Sequence, residues 1–178
     1  MELNYFEQNT FTKLFNNDGL SLESKQEVAS SMLRVNILSG IQNAGSGHLG
    51  SSFSALEIML SALMYLDQHK NGNSHFFSSK GHDVPCLYAC YEALGNLENL
   101  SLMSLRKLNG LPGHPDIGTE NIKFNTGSLG MGISKANGWL SAEEYFKRDS
   151  RIVLIIGDGE FQEGQNFEAL MYLQNNKH

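Results

Sequence analysis

A chain of 178 residues, 40% hydrophobic and 18% charged, is long enough for one α/β domain with a real core and too short for two full ones. Its net charge of −6 argues against nucleic acid and anionic membranes as partners, although a metal ion and backbone N–H groups can still draw an anionic cofactor to an acidic protein. The start, Met1 to Glu7, lacks a basic or apolar leader pattern, and no segment is expected to reach membrane-spanning length, so a cytoplasmic location is expected.

Residues 1–20, rich in Asn and Phe without a clear period, read as a loosely held arm, and residues 21–178 as one partial domain. Val28, Met32, Val35 and Ile41 give a helix from Leu22 to Asn43 a recurring apolar face, and Gly45 ends it. Gly45 to Gly50 must be a loop. Ser54 and Glu57 have the spacing of a capping box, opening a helix to Leu66 that is apolar nearly all round at Leu56, Ile58, Met59, Leu60 and Leu63. Residues 75–78 suit a short strand, and Pro85 opens a helix to Leu94 that carries Cys86 and Cys90 on one face as buried thiols. A short helix over 101–108, a helix to Phe146, a strand over 151–156 and a last helix over 164–175 complete the order. Strands alternating with helices predict an α/β fold: a parallel sheet covered by helices on both faces.

The chemistry concentrates in loops between these elements. Ile152 to Ile156 is a run of aliphatic residues, the habit of a strand buried on both faces, and Gly157-Asp158-Gly159-Glu160 follows it directly. In open parallel sheets ligands bind beyond the strand carboxyl ends, where glycines admit a bulky anion and an aspartate offers oxygen to a hard cation. That pattern suits a diphosphate held through magnesium, and a helix cap is the plainer alternative for Asp158. Glu160 and Glu163 flank the next turn, where they favour a helix N-terminus or serve a subunit interface. Thr126 to Gly132 places glycines at 127, 130 and 132 before a helix, a turn able to present N–H groups to phosphate, although it matches neither a P-loop nor a dinucleotide fingerprint. His48, His82 and His114 each follow a glycine in a turn. Each alone suits a surface or capping histidine; together they point to a shared pocket, and their spacing is too wide for a zinc site.

Taken together, Ala44 to Gly50, Ser78 to His82, Leu111 to Asp116, Thr126 to Gly132 and Gly157 to Gly164 resemble the N-terminal, diphosphate-binding part of transketolase, a thiamine-diphosphate enzyme. The likeness is closest to the form split into two polypeptides and covers residues 22–178. It implies the thiamine-diphosphate-binding fold, with Asp158 as the magnesium ligand and Gly159 and Glu160 beside the diphosphate. It assigns His82, Gly127, Ser128 and Leu129 to cofactor contacts, and His48 and His114 to proton transfers on a sugar substrate. The activity implied is transfer of a two-carbon ketol unit from a ketose to an aldose. Leu49 departs from the proline usual in transketolases and matches the sister enzyme deoxyxylulose-phosphate synthase, whereas the Leu-Pro-Gly-His-Pro and Gln-Glu-Gly segments keep to transketolase. The second metal ligand of the family, an asparagine on the next strand, and the pyrimidine-binding domain both fall beyond this sequence. The fold is therefore expected to be C-terminally incomplete. Activity is expected to require a second copy of the chain together with a C-terminal transketolase subunit, the alternative being a non-catalytic remnant or interaction module.

Overall fold

The computed structural model describes residues 5–68 and 74–176, so residues 1–4 of the expected arm and 177–178 lie outside the described residues. The elements are α1 (Gln8–Phe15), α2 (Leu22–Ala44), α3 (Leu49–Gln68), β1 (His75–Ser78), α4 (Val84–Ala93), α5 (Gly132–Tyr145), β2 (Ile152–Ile155) and α6 (Gly164–Asn176), with 3-10 turns at Ser101–Ser104 and Glu160–Gln162. Two compact units result, one from residues within 1–61 and 82–122, the other from residues within 62–81 and 123–178.

In the first unit α2 packs against α1, α4 and the Ser101–Ser104 turn. Its ends are set as the sequence suggests: Ser21 accepts from the Ser24 N–H, and Gly45 closes the helix at φ 68°. Its buried face is not the expected one. Val28 is exposed, and the inward residues are Ala29, Leu33, Asn36, Ile37 and Gly40. Small and polar residues share this face with Leu33 and Ile37, and at Gly40 the neighbour comes too close for a side chain. A β-carbon on Gly40 would lie 2.6 Å from Leu102 Cγ.

Asn36 explains the second departure. Its side chain accepts from the Phe6 N–H and donates to the Phe6 carbonyl, both at 2.8 Å. This pins the segment expected to be a loose arm, which forms α1 and buries Phe11. A single side chain clasping one distant peptide leaves no periodic trace, so the docking is invisible in sequence. Glu92 fixes the same region. It is 2% exposed, and its carboxylate accepts from the Tyr5 hydroxyl at 2.9 Å and from the Leu100 and Leu102 N–H groups at 2.9 and 3.2 Å. Leu100 is held there at φ 65°, a conformation costly to a non-glycine residue. Helix is confined to Ser101–Ser104 rather than running to residue 108, because Leu105 leaves the helical region at ψ 127° and Arg106 takes φ 56°.

α3 begins at Leu49, so Ser54 and Glu57 sit inside it and form no capping box; Ser54 instead donates back to the Ser51 carbonyl at 3.1 Å. Leu56, Met59, Leu60 and Leu63 are buried while Ile58 and Tyr65 are exposed, so the helix is apolar as expected but is buried on one side only. Contrary to the sequence expectation, Leu49–Asp67 is long and apolar enough to cross a membrane by length and composition. A third of that stretch is buried, where Leu56, Met59, Leu60 and Leu63 pack into the core. In α4 every residue is buried, including the free thiols of Cys86 and Cys90.

In the second unit β1 and β2 pair in parallel, His75 opposite Ile152 through Ser78 opposite Ile155. α5 packs on β2 and on α6. The core joins Phe77, Phe124 and Ala136 with Trp139, Ile152 and Leu154, and the Phe77 and Phe124 rings stack at 4.1 Å. β2 is half-buried along its length, not buried on both faces, because among the described residues it has β1 alone as a strand neighbour. The parallel α/β class is as expected.

Replacing Glu92 with alanine strands three donors in a mostly dry setting, and a loss of about 3 kcal/mol is expected from the midpoint of urea unfolding. Glu92→Gln, which keeps one acceptor, should fall between that variant and the parent.

Candidate functional site

The three glycine-linked histidines belong to the first unit. His48 precedes α3, and its carbonyl accepts the first helical bond from Ser52 at 3.1 Å. His82 follows Gly81, which takes φ 68° in the turn after β1. The His48 and His82 ring centres lie 5.2 Å apart. His114 rides the loop between the 3-10 turn and Ile122, with the hydroxyl of buried Tyr88 3.4 Å from its carbonyl oxygen.

Arg106 organises these loops, and no sequence motif marks it. It takes φ 56°, its N–H donates to the Leu111 carbonyl at 2.7 Å, and its guanidinium donates to Ser46 Oγ at 3.0 Å. A β-carbon on Gly113 would stand 2.8 Å from Arg106 Nε, so a side chain there would push the guanidinium off that peptide. The Leu111–Asp116 loop is thereby tied to the loop that carries His48. Partial desolvation, reinforced by the Arg106 guanidinium and by the His48 and His82 rings, lowers the His114 pKa from its ordinary value. A neutral imidazole at neutral pH is ready to accept a proton.

The second unit holds the glycine turns. The Ser79 N–H extends the ladder to the Ile155 carbonyl at 2.9 Å, so the ends of β1 and β2 stand side by side. Glu160, 3% exposed, sits between them. One carboxylate oxygen accepts from the Ser79 hydroxyl and from the Gly130 N–H at 2.9 Å; the other accepts from the Gly157 N–H at 3.2 Å. The fully buried Asn166 donates to the Glu160 carbonyl at 2.7 Å, and the Phe161 N–H closes onto the Gly157 carbonyl at 2.8 Å. Gly130 takes φ 84°, and a β-carbon there would meet Glu163 Cβ at 2.7 Å. The Lys80 stem lies over Gly157, whose absent β-carbon would be 3.1 Å from Lys80 Cδ.

Asp158 is exposed at the carboxyl end of β2, and beside it Gly159 faces open space. Gly127, Ser128 and Leu129 are exposed in the turn before α5. The Thr126 hydroxyl is buried there with no hydrogen-bond partner among the described residues. An unpaired hydroxyl, a glycine turn entering a helix and a strand-end carboxylate fit a metal-bound diphosphate, since magnesium needs only one or two protein carboxylates beside phosphate and water oxygens. No group of three or more His, Cys, Asp or Glu side chains placed to hold a metal ion occurs among the described residues.

Known proteins resemble this chain. The sequence model of the family described as "Transketolase, thiamine diphosphate binding domain" matches residues 24–176. A Homo sapiens protein named "Transketolase" is 35% identical over 163 residues, covering 87% of this chain and 26% of that protein. "Transketolase-like protein 2" of Mus musculus is 34% identical over 160 residues, 85% of this chain and 25% of its own length. A Phocaeicola vulgatus protein, named as one of the subunits of an apulose-4-phosphate transketolase, is 32% identical over 154 residues, 82% of this chain and 54% of its own length. The chain thus spans about a quarter of the first two relatives and about half of the third.

The lowered His114 pKa has a definite sign. The folded state binds fewer protons here than the unfolded chain, so the histidine's contribution to stability is present above the ordinary imidazole value and is lost as pH falls through the folded value. Proton NMR of the histidine ring should place the His114 midpoint below that of a model imidazole, and Arg106→Met should move it upward.

Proposed function

The chain belongs to the transketolase N-terminal, thiamine-diphosphate-binding family, and from that premise we propose that it is the diphosphate-binding part of a two-carbon ketol transferase. The carrying observation is the pair of glycine turns beside Asp158 in the second unit, with the unpaired Thr126 hydroxyl at the entrance of one of them. In this reading Asp158 holds Mg2+, and Gly127, Ser128, Leu129 and Gly159 bring backbone N–H groups to the diphosphate. His82 contacts the cofactor, and His48 and His114 exchange protons with hydroxyls of a sugar, or sugar phosphate, substrate. When bound, thiamine diphosphate supplies the electron sink for breaking the ketose carbon–carbon bond.

His114 suits the accepting role, because its lowered proton affinity keeps it neutral where a hydroxyl proton must be taken. Arg106 suits a positioning role, since it joins the loops of His48 and His114 through Ser46 and Gly113. A separate chain bearing the pyrimidine-binding domain completes the enzyme, with a second copy of this chain, in the cytoplasm. The Phocaeicola vulgatus relative, named as one part of a divided transketolase, supports this division of labour between chains. Helices on both faces of the sheet belong to the same proposal. The relatives named as transketolases favour ketol transfer over the sister thiamine reaction and over a remnant without activity.

The protein purified from its source cells with its co-purifying chain should bind thiamine diphosphate in a magnesium-dependent manner by calorimetry and exchange two-carbon units between ketose and aldose. Asp158→Asn should weaken magnesium by more than the ~100-fold typical of losing an outer-shell partner. Cofactor binding that is absent in the parent, or indifferent to magnesium, would sink the reading.

A further inference from the structure

Among the residues at the two glycine turns, hydrogen bonding divides the donors into two sets. The N–H groups of Gly130 and Gly157 are taken up by the Glu160 carboxylate. Those of Gly127, Ser128, Leu129, Asp158 and Gly159 make no bond to another described residue. We propose that Glu160 is a positioning residue rather than a cofactor contact: its buried carboxylate locks the Thr126–Gly132 turn and the Gly157–Glu160 turn to the end of β1, leaving the unpaired N–H set aimed at an anion.

A carboxylate is required for this by simple valence. Three donors converge on Glu160, from Ser79, Gly130 and Gly157, and they come from segments 81, 30 and 3 residues away in sequence. Two carboxylate oxygens can accept all three, whereas an amide would turn an NH2 group toward one of the donors. The close fit leaves little slack. A β-carbon on Gly132 would come within 2.5 Å of Ser79 Cβ, and one on Gly130 within 2.7 Å of Glu163 Cβ. Behind the carboxylate, Asn166 holds the Glu160 carbonyl, so the side chain is fixed from its own backbone outward. Without the clasp the two turns are no longer held to the end of β1, and a metal-bound diphosphate must then order them on binding.

The inference rests on the diphosphate reading above, and its test separates the two. In the protein purified with its co-purifying chain, the parent, Glu160→Gln, Glu160→Asp and Ser79→Ala are compared. Two readouts are used: thiamine diphosphate binding at saturating Mg2+, and amide hydrogen exchange of the 126–132 and 156–160 segments without cofactor. Glu160→Gln should weaken the cofactor roughly 30-fold and speed exchange in both segments roughly tenfold, with exchange in α1 and α2 unchanged and kcat at saturating cofactor within about threefold. Glu160→Asp should recover part of the loss. Parent-like binding or parent-like exchange in Glu160→Gln overturns the positioning role, as does a fall in kcat with cofactor affinity intact. If Glu160→Gln does not fold, Ser79→Ala decides, since it removes one donor and should shift both readouts in the same direction by a smaller factor. A parent that binds no thiamine diphosphate defeats the diphosphate reading, while exchange in the two segments still decides whether Glu160 holds them.

Discussion

A carboxylate out of water is tolerated only when its lone pairs are filled, and the second unit of this protein is arranged around one such group. Glu160 has almost no exposure, and donors from the end of β1, from the glycine turn before α5 and from the turn after β2 converge on it. Desolvating an isolated carboxylate costs several kcal/mol, and hydrogen bonds to a charged acceptor are the strong ones. The balance explains why two of the glycines cannot be anything else. Gly130 must present its N–H at φ 84° with Glu163 against it, and Gly132 must leave the space that Ser79 occupies. The short parallel pairing of β1 and β2 then does more than build a sheet. By placing Ser79 beside Ile155 it delivers both strand ends to the same carboxylate.

The first unit ties its loops with a side chain of the opposite charge, which is exposed rather than buried. Arg106 reaches Ser46 and lies over Gly113, so one long side chain joins two loops that carry His48 and His114. A planar guanidinium with several donors suits this better than an ammonium would. Its charge also reaches His114, where it acts in the same direction as partial desolvation and the neighbouring imidazoles. Structure and electrostatics are therefore not separable here. The residue that fixes the loop also lowers the proton affinity of the ring the loop presents.

Much of this was legible in sequence because the signals are local. The apolar run Ile152 to Ile156 followed by glycine and aspartate yields a strand ending at a turn, and Gly45, Pro85 and Gly132 mark helix ends where they fall. What stayed hidden depends on partners far along the chain. Asn36 carries no local signal, and its part in the fold shows only when Phe6 is placed against it. Ser54 and Glu57 have capping spacing, but α3 starts at Leu49, ahead of both, and Glu57 pairs with Arg34 at 2.6 Å instead. No motif marks Arg106, and only the fold brings Ser46, 60 residues away, within its reach.

Glu160 illustrates the same limit at the site itself. Its neighbours in the motif, Gly157, Asp158 and Gly159, sit where an anion and a metal ion are expected, so adjacency alone groups the glutamate with them. The hydrogen bonds give the four residues four different tasks. Gly157 spends its N–H on the clasp and lets Lys80 cover it, Asp158 leaves its carboxylate exposed, Gly159 keeps an open face, and Glu160 turns inward. The alternation follows from geometry. A tight turn after a strand points successive groups in different directions, so a ligand beyond the strand end meets only some of them. Those facing away must be satisfied by the protein, and an acidic chain can do so with a buried acceptor as long as the donors it claims are not the ones the ligand needs. Here the N–H groups that Glu160 claims are those of Gly130 and Gly157, and in the reading proposed above that separation lets a negatively charged side chain support a site for a negatively charged ligand.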